Sequence, residues 1–331
     1  MKYKKVYYEP EALNYELGQK LRGKYKDIEW IPITSHNNIE ELRTKENKDF
    51  VELKTYLIIG IRKTHKYVEN KKSSDYLVPF TSSGCTAMCL YCYLVCNYNK
   101  CSYLRIYVNN DFIISNLIKK SIKTKEISTF EIGSNSDLIL ENQITGNLNK
   151  VIEEFGEKGR GFITFPTKFN MVDKLLNLKH NGKTIIRMSL NPQHIISKVE
   201  IGTSSLIHRI DALNKVCDAG YKVGILIAPV IFVENWKELY FELIQTLKNK
   251  LSYKVKEEMF IEVIFMTYSY VHNAINDQAF PNKVKLYNEK LMTGRGRGKY
   301  TYKKEYRDDA EKFIRGELNK SFDSPNIIYV V

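Results

Sequence analysis

The chain has 331 residues and is 43% hydrophobic, with 51 Lys and Arg against 38 Asp and Glu for a formal charge of +13. That hydrophobic content supports a sizeable core and excludes wholesale disorder, and no apolar run approaches the roughly 18–20 residues of a membrane-spanning helix. The length fits two domains or one large α/β domain with additions, and the start Met1-Lys2-Tyr3-Lys4-Lys5 lacks the apolar centre of a signal peptide, so a cytoplasmic protein is expected.

In chain order, residues 1–75 read as a charged, tyrosine-rich N-terminal extension with one strand-like run, Tyr56-Leu57-Ile58-Ile59-Gly60-Ile61. Pro79 to Gly84 mixes proline, glycine and hydroxyl residues and reads as a loop running into the first cysteine. From there strands alternate with helices. Strands are expected at 103–108, 128–132, 161–165, 184–190, 222–229 and 258–264. Helices are expected near 111–122, 138–156, 170–178, 207–219 and 235–249, the fourth stopped by Gly220. About six such alternations imply a parallel sheet with helices outside, open or curled, with ligands at the C-terminal strand ends. The tail from Thr293 packs basic and aromatic residues around glycines and reads as a loop or hairpin, and Asn326-Ile327-Ile328-Tyr329-Val330 closes the chain as a strand.

Five of the six cysteines, Cys85, Cys89, Cys92, Cys96 and Cys101, fall within 17 residues. In a reducing compartment such clustering points to metal or redox chemistry. Three thiolates in the pattern Cys85-x3-Cys89-x2-Cys92 suit three corners of a [4Fe–4S] cluster with one iron open to a small molecule. S-adenosylmethionine (AdoMet), which offers an amino and a carboxylate group, suits that iron, and electron transfer to it can yield a 5′-deoxyadenosyl radical. The bland alternative is a zinc knuckle of Cys85, Cys89, Cys92 and Cys96, but zinc ribbons usually pair two Cys-x2-Cys elbows.

The cysteine loop and its surroundings resemble radical AdoMet enzymes, and more specifically the spore photoproduct lyases. The likeness is carried from Ser83-Gly84-Cys85 to Cys92-Tyr93-Leu94, then by Arg105-Ile106-Tyr107-Val108-Asn109, Phe130-Glu131, Ser136-Asp137, Thr167-Lys168-Phe169, Gly202-Thr203-Ser204-Ser205, Ala228-Pro229 and Gly298-Lys299-Tyr300. The resemblance implies a partial (β/α)6 radical-AdoMet barrel over 76–331, with an N-terminal extension and a C-terminal basic hairpin near 293–305. It implies direct reversal of the UV lesion 5-thyminyl-5,6-dihydrothymine in DNA, with hydrogen abstraction from C6 of the lesion. A reducing donor of flavodoxin or ferredoxin type and a spore or forespore compartment go with it. Cys85, Cys89 and Cys92 would hold the cluster. Ser136, Lys168 and Ser189 fall on AdoMet-contacting positions, with Asp137 beside them. Tyr91 and Tyr93 match tyrosines near the cofactor and in the radical relay. Arg295, Arg297, Lys299 and Tyr300 would contact DNA.

Two departures stand out. Ser134 occupies the position of a cysteine that returns the hydrogen in many members, and an O–H bond is a poor donor beside S–H. Cys96, and behind it Cys101, is the candidate replacement, its bland reading being a spare structural thiol. In Gly294-Arg295-Gly296-Arg297-Gly298 the arginines are kept in number but shifted. Taken singly, Ser136-Asp137 also reads as a helix N-cap, Lys168 as a surface lysine and the basic tail as a solvated loop. Two rivals are kept: the same barrel with another substrate, and a non-catalytic Fe–S or zinc protein that binds nucleic acid.

Overall fold

The computed structural model describes residues 3–79, 81–97 and 103–331. Two sheets organise the chain. The larger runs, from one edge to the other, Asn326–Val330, Phe260–Phe265, Lys222–Val230, Thr184–Leu190, Phe162–Thr167, Thr129–Glu131, Tyr76–Leu77 and Val68–Glu69. Every neighbouring pair is parallel except the last. Its edges do not pair with each other, so it is a half-barrel rather than a closed one. The strands are near-continuous apolar runs, such as Val223, Ile225, Ile227 and Val230, as a sheet covered on both faces requires.

The exceptions to that apolar character point inward. Arg187 on strand Thr184–Leu190 reaches Glu131 on one side and Glu262 on the other, the latter at 3.2 Å, and its Nε donates to Thr164 at 3.0 Å. Tyr329 donates to Glu262 at 2.7 Å. The Arg187 guanidinium thus reaches side chains from three other strands, and Tyr329 joins through Glu262, because buried charges persist only when paired and hydrogen-bonded.

The smaller sheet has the order Glu29–Pro32, Lys5–Tyr8, Tyr56–Gly60, Leu104–Tyr107 and Ser82–Ser83, the first four strands parallel. Strand Leu104–Tyr107, expected to begin the barrel alternation, belongs to this N-terminal sheet instead. Asn326–Val330 completes six longer parallel strands in the barrel sheet. The correction is one of partnering, which local sequence does not encode. Val68–Glu69, in turn, lies in the barrel sheet, so both sheets draw strands from either side of residue 75.

Three local expectations also change. The helix expected at 138–156 is two helices, Leu138–Thr145 and Asn147–Lys158, broken at Gly146, whose φ of +75° ends the first. The helix expected at 170–178 is only the 3-10 turn Asp173–Leu175, since a stretch that short gains little from helical nucleation. Several helices were not foreseen, the longest being Lys304–Ser321, Tyr270–Ala279 and Glu16–Lys24. The expected basic hairpin is present: Met292–Gly296 pairs with Lys299–Tyr302, and Thr267–Ser269 adds a third strand.

Candidate radical-cofactor site

The cysteine loop is pinned on several sides. Within it, Met88–Cys89 pairs antiparallel with Glu200–Ile201, so that Cys89 stands opposite Glu200, and the Leu90 N–H donates to the Val199 carbonyl at 3.0 Å. Before it, Gly84 donates to the Asn135 carbonyl at 2.7 Å and bridges Ser136. Lys54, buried at the end of the short helix Phe50–Leu53, donates from Nζ to the Cys85 carbonyl at 2.8 Å. His272 and Asn276 reach the Cys92 and Leu90 carbonyls at 3.0 and 2.8 Å.

Cys85, Cys89 and Cys92 are partly buried free thiols, close enough that Cys89 feels both others as neighbouring charges and Cys85 feels Cys92. Burial pushes the Cys85 thiol up to about 12. The Asp137 carboxylate adds to this and Lys54 opposes it. Burial also raises Cys89 well above its ordinary value, helped by Glu200 and opposed by Lys168. Thiolate ligation must overcome that burial, which a multiply charged metal centre does and a lone lysine does not. Among the described residues no three His, Cys, Asp or Glu side chains converge as a single ion requires. Three neighbouring thiols suit three corners of an iron–sulfur cubane. Cys101 lies outside the described residues, as does the side chain of Cys96, whose backbone is in helix Leu94–Asn97.

Beside Cys89 a buried carboxylate gathers the predicted cofactor residues. Glu200 is fully buried and accepts from Lys168 Nζ at 2.9 Å, Asn191 Nδ2 at 2.9 Å, Arg209 at 2.7 Å and the Tyr91 hydroxyl. Burial alone would raise its pKa. Lys168, Arg209 and the hydrogen bonds from Tyr91 and Asn191 outweigh burial and hold it at about 2. Lys168 donates to Ser189 Oγ at 2.5 Å and to the Ala228 carbonyl at 3.0 Å. It is therefore no ordinary surface lysine: three partners hold its ammonium, and 20% of the side chain remains accessible.

Ser136 and Asp137 lie at the C-terminal end of strand Thr129–Glu131. Ser136 Oγ contacts Ser82 Oγ at 2.8 Å. Asp137 caps helix Leu138–Thr145 and also accepts from Thr167 Oγ1 at 2.8 Å and the Lys168 N–H at 2.8 Å. The cap is real, and the same carboxylate fixes the backbone of Lys168. Burial raises its pKa against these hydrogen bonds. Ser134 sits in the same turn, partly buried.

Tyr91, Lys168 and Ser189 are thus brought together with Cys89, while Ser136 and Asp137 stand on the Cys85 side. Tyr93 is 53% exposed and outside the Glu200 network. Glu200, Asn191 and Arg209 were not singled out by sequence. Each is a common residue type, and the four groups that meet Glu200 come from positions 91, 168, 191 and 209, a juxtaposition no local pattern encodes.

On the hairpin Arg295, Arg297 and Lys299 are exposed, and Tyr300 packs against Tyr287 with ring centroids 4.7 Å apart. Tyr302 is the anchor, buried and stacked on Phe232 at 4.0 Å. Position 298 requires glycine: its φ is +67°, and a Cβ there would lie 2.2 Å from the Tyr270 ring.

The model of the family "spore photoproduct lyase" matches residues 1–331 of the chain. The spore photoproduct lyase of Bacillus subtilis (strain 168) is 35% identical over 332 residues, spanning 98% of this chain and 97% of the relative. That of Geobacillus sp. (strain Y412MC61) is 36% identical and spans 98% of each. Among solved structures, a doubly substituted spore photoproduct lyase with bound AdoMet and dinucleoside spore photoproduct superposes with a TM-score of 0.92 at 33% identity, covering 99% of both chains. A spore photoproduct lyase complexed with dinucleoside spore photoproduct gives 0.91 at 34% identity, again over 99% of both chains.

Proposed function

The chain belongs to the spore photoproduct lyase family, and from that membership we propose how its own residues divide the chemistry. It is a radical AdoMet lyase that repairs spore photoproduct in DNA, using a [4Fe–4S] cluster and AdoMet. The observation that best carries the assignment of roles is the antiparallel pairing of Cys89 with Glu200. It sets the thiol loop against the Lys168–Ser189 pocket wall.

Cys85, Cys89 and Cys92 would hold the cluster, which when reduced would supply the electron for radical chemistry on AdoMet. Lys168 would offer a positive charge to the AdoMet carboxylate. Its three N–H groups are already engaged by Ser189, Glu200 and Ala228, so it acts chiefly through charge. Ser136 would offer a hydroxyl beside Ser82 and Ser189 one beside Lys168. Asp137 is a positioning residue that sets the Lys168 backbone. Glu200 orients Tyr91 and Lys168 together, and burial, with the Glu200 carboxylate behind it, keeps the Tyr91 phenol protonated beside the cluster loop. Tyr93 stands at the exposed mouth as the relay tyrosine. The test of this half of the assignment is anaerobic reconstitution. Brown protein with about four irons per chain should cleave AdoMet reductively to 5′-deoxyadenosine; colourless protein with one zinc would overturn it.

Hydrogen return falls to Cys96, in the helix directly following the cluster loop, because Ser134 offers only an O–H. Replacing Cys96 with alanine should raise the share of side products in a dinucleotide lesion assay. Unchanged product purity would remove Cys96 from the reaction.

The hairpin's Arg295, Arg297 and Lys299 meet phosphates, with Tyr300 near the lesion. Each phosphate neutralised contributes about 0.9 to the slope of log affinity against log salt, so replacing all three with alanine should flatten the slope by about 2–3. A slope identical to that of the unsubstituted protein would argue against phosphate contact. No helix among the described residues is long and apolar enough to cross a membrane. A flavodoxin- or ferredoxin-type donor and a cytoplasmic spore setting complete the proposal.

A further inference from the structure

Helix Tyr270–Ala279 touches both halves of the machinery. Its N-terminal end is fastened to the basic hairpin. Ser269 pairs with Lys299 across the antiparallel strands, the Tyr270 N–H donates to the Gly298 carbonyl at 3.1 Å, and the Tyr270 ring fills the space over Gly298. Its body is fastened to the cysteine loop. His272 Nε2 lies 3.0 Å from the Cys92 carbonyl oxygen, and Asn276 Nδ2 donates to the Leu90 carbonyl at 2.8 Å and to the Tyr268 hydroxyl at 2.9 Å.

The histidine's roles follow from its partners. A carbonyl oxygen only accepts, so Nε2 carries the proton, and Nδ1 accepts from the Ser269 hydroxyl at 2.9 Å. The ring is buried and stacked on Tyr268, with centroids 5.1 Å apart and an interplanar angle of 21°. Held on both nitrogens and one face, the ring links Ser269 to the Cys92 carbonyl. Ser269 is the hairpin-paired residue, and Cys92 is the third thiol of the loop.

We propose that His272 is a positioning residue that couples DNA occupancy of the basic hairpin to the geometry of the cluster loop at Cys92. The proposal rests on the hairpin being DNA-facing and on Cys92 being a cluster ligand. The backbone that carries a ligating thiolate tunes the metal through its orientation and hydrogen bonds, so a shift there alters the cluster's magnetic signature. Engagement of undamaged duplex DNA would prepare the cluster loop before a lesion is reached.

The test uses the reconstituted four-iron protein with and without an undamaged duplex, read by amide hydrogen exchange and by electron paramagnetic resonance of the reduced cluster. In the unsubstituted protein, duplex should slow exchange at 292–302 and also at 88–95 and should shift the resonance. In His272→Ala, hairpin protection should persist, loop protection should fall roughly three-fold or more, and the resonance should ignore DNA. His272→Gln, which keeps an N–H donor, should recover part of both responses. Equal loop and resonance responses in His272→Ala and the unsubstituted protein would overturn the coupling. If His272→Ala loses iron, the unsubstituted protein decides: hairpin protection without any response at 88–95 removes the coupling alone. No hairpin protection at all removes the DNA-facing reading and the coupling with it.

Discussion

Glu200→Gln is expected to destabilise the folded protein by about 3–5 kcal/mol, the usual cost of removing one partner from a buried ion pair. Glu200 is completely buried between two cations, Lys168 at 2.9 Å and Arg209 at 2.7 Å, and Arg209 is itself fully buried. Glutamine is nearly isosteric and keeps one acceptor for Tyr91 or Asn191, but it leaves both cations without a counter-charge. The second loss is geometric, because Lys168 and Tyr91 no longer share an anchor, so AdoMet binding should weaken along with stability.

The same carboxylate predicts a pH dependence. Its pKa is about 2 in the folded protein against 4.5 ordinarily. A lowered carboxyl pKa stabilises the fold above the unfolded value, and that contribution fades as pH falls from about 4.5 through about 2. It amounts to about 3 kcal/mol, since one pKa unit corresponds to about 1.4 kcal/mol. Denaturant unfolding of the two proteins at neutral pH and near pH 3 measures both effects. The gap between them should narrow in acid. A glutamine variant within about 1 kcal/mol of the parent at neutral pH would show that the network carries far less than its burial implies.

Lys168→Met should have the larger effect on cofactor binding and the smaller one on the fold. Methionine preserves most of the apolar stem, and Glu200 keeps Arg209, so the buried carboxylate is not orphaned. What disappears is the one ammonium that is both tied to Glu200 and partly accessible. Two unit charges about 4 Å apart attract by about 1 kcal/mol in water and about 4 kcal/mol near a protein surface, so AdoMet should bind at least several-fold more weakly. Equilibrium binding to the reconstituted protein measures this directly. Unchanged AdoMet affinity would move Lys168 from the cofactor site to a purely structural role in the Glu200 network.

How much of this was legible in sequence varied with how local the information is. The cysteine loop was plain because its three thiols are neighbours along the chain, and the hairpin because its glycines and basic residues are contiguous. Lys168 and Ser189 came through resemblance alone, since an isolated lysine or serine says nothing. Glu200 stayed invisible because its meaning lies in groups from four separate segments, two of them 32 and 109 residues away. Arg209 lies in the helix expected at 207–219, and nothing about a lone arginine there signals that it is fully buried. Strand 104–107 was recognised as a strand but given the wrong sheet, for its partner Tyr56–Gly60 is remote in sequence. The short strands Lys5–Tyr8 and Glu29–Pro32 carry too few apolar residues to announce themselves. Helix Tyr270–Ala279, which ties the hairpin to the cysteine loop, hid among polar residues that are spent on backbone carbonyls.

The most direct measurement is turnover of synthetic dinucleotide spore photoproduct by the reduced, four-iron protein with AdoMet. Conversion to two thymines, dependent on AdoMet and lost when Cys85, Cys89 or Cys92 is replaced by alanine, is the expected result. An intact, reducible cluster that cleaves AdoMet to 5′-deoxyadenosine yet leaves the lesion unchanged would contradict the lyase assignment.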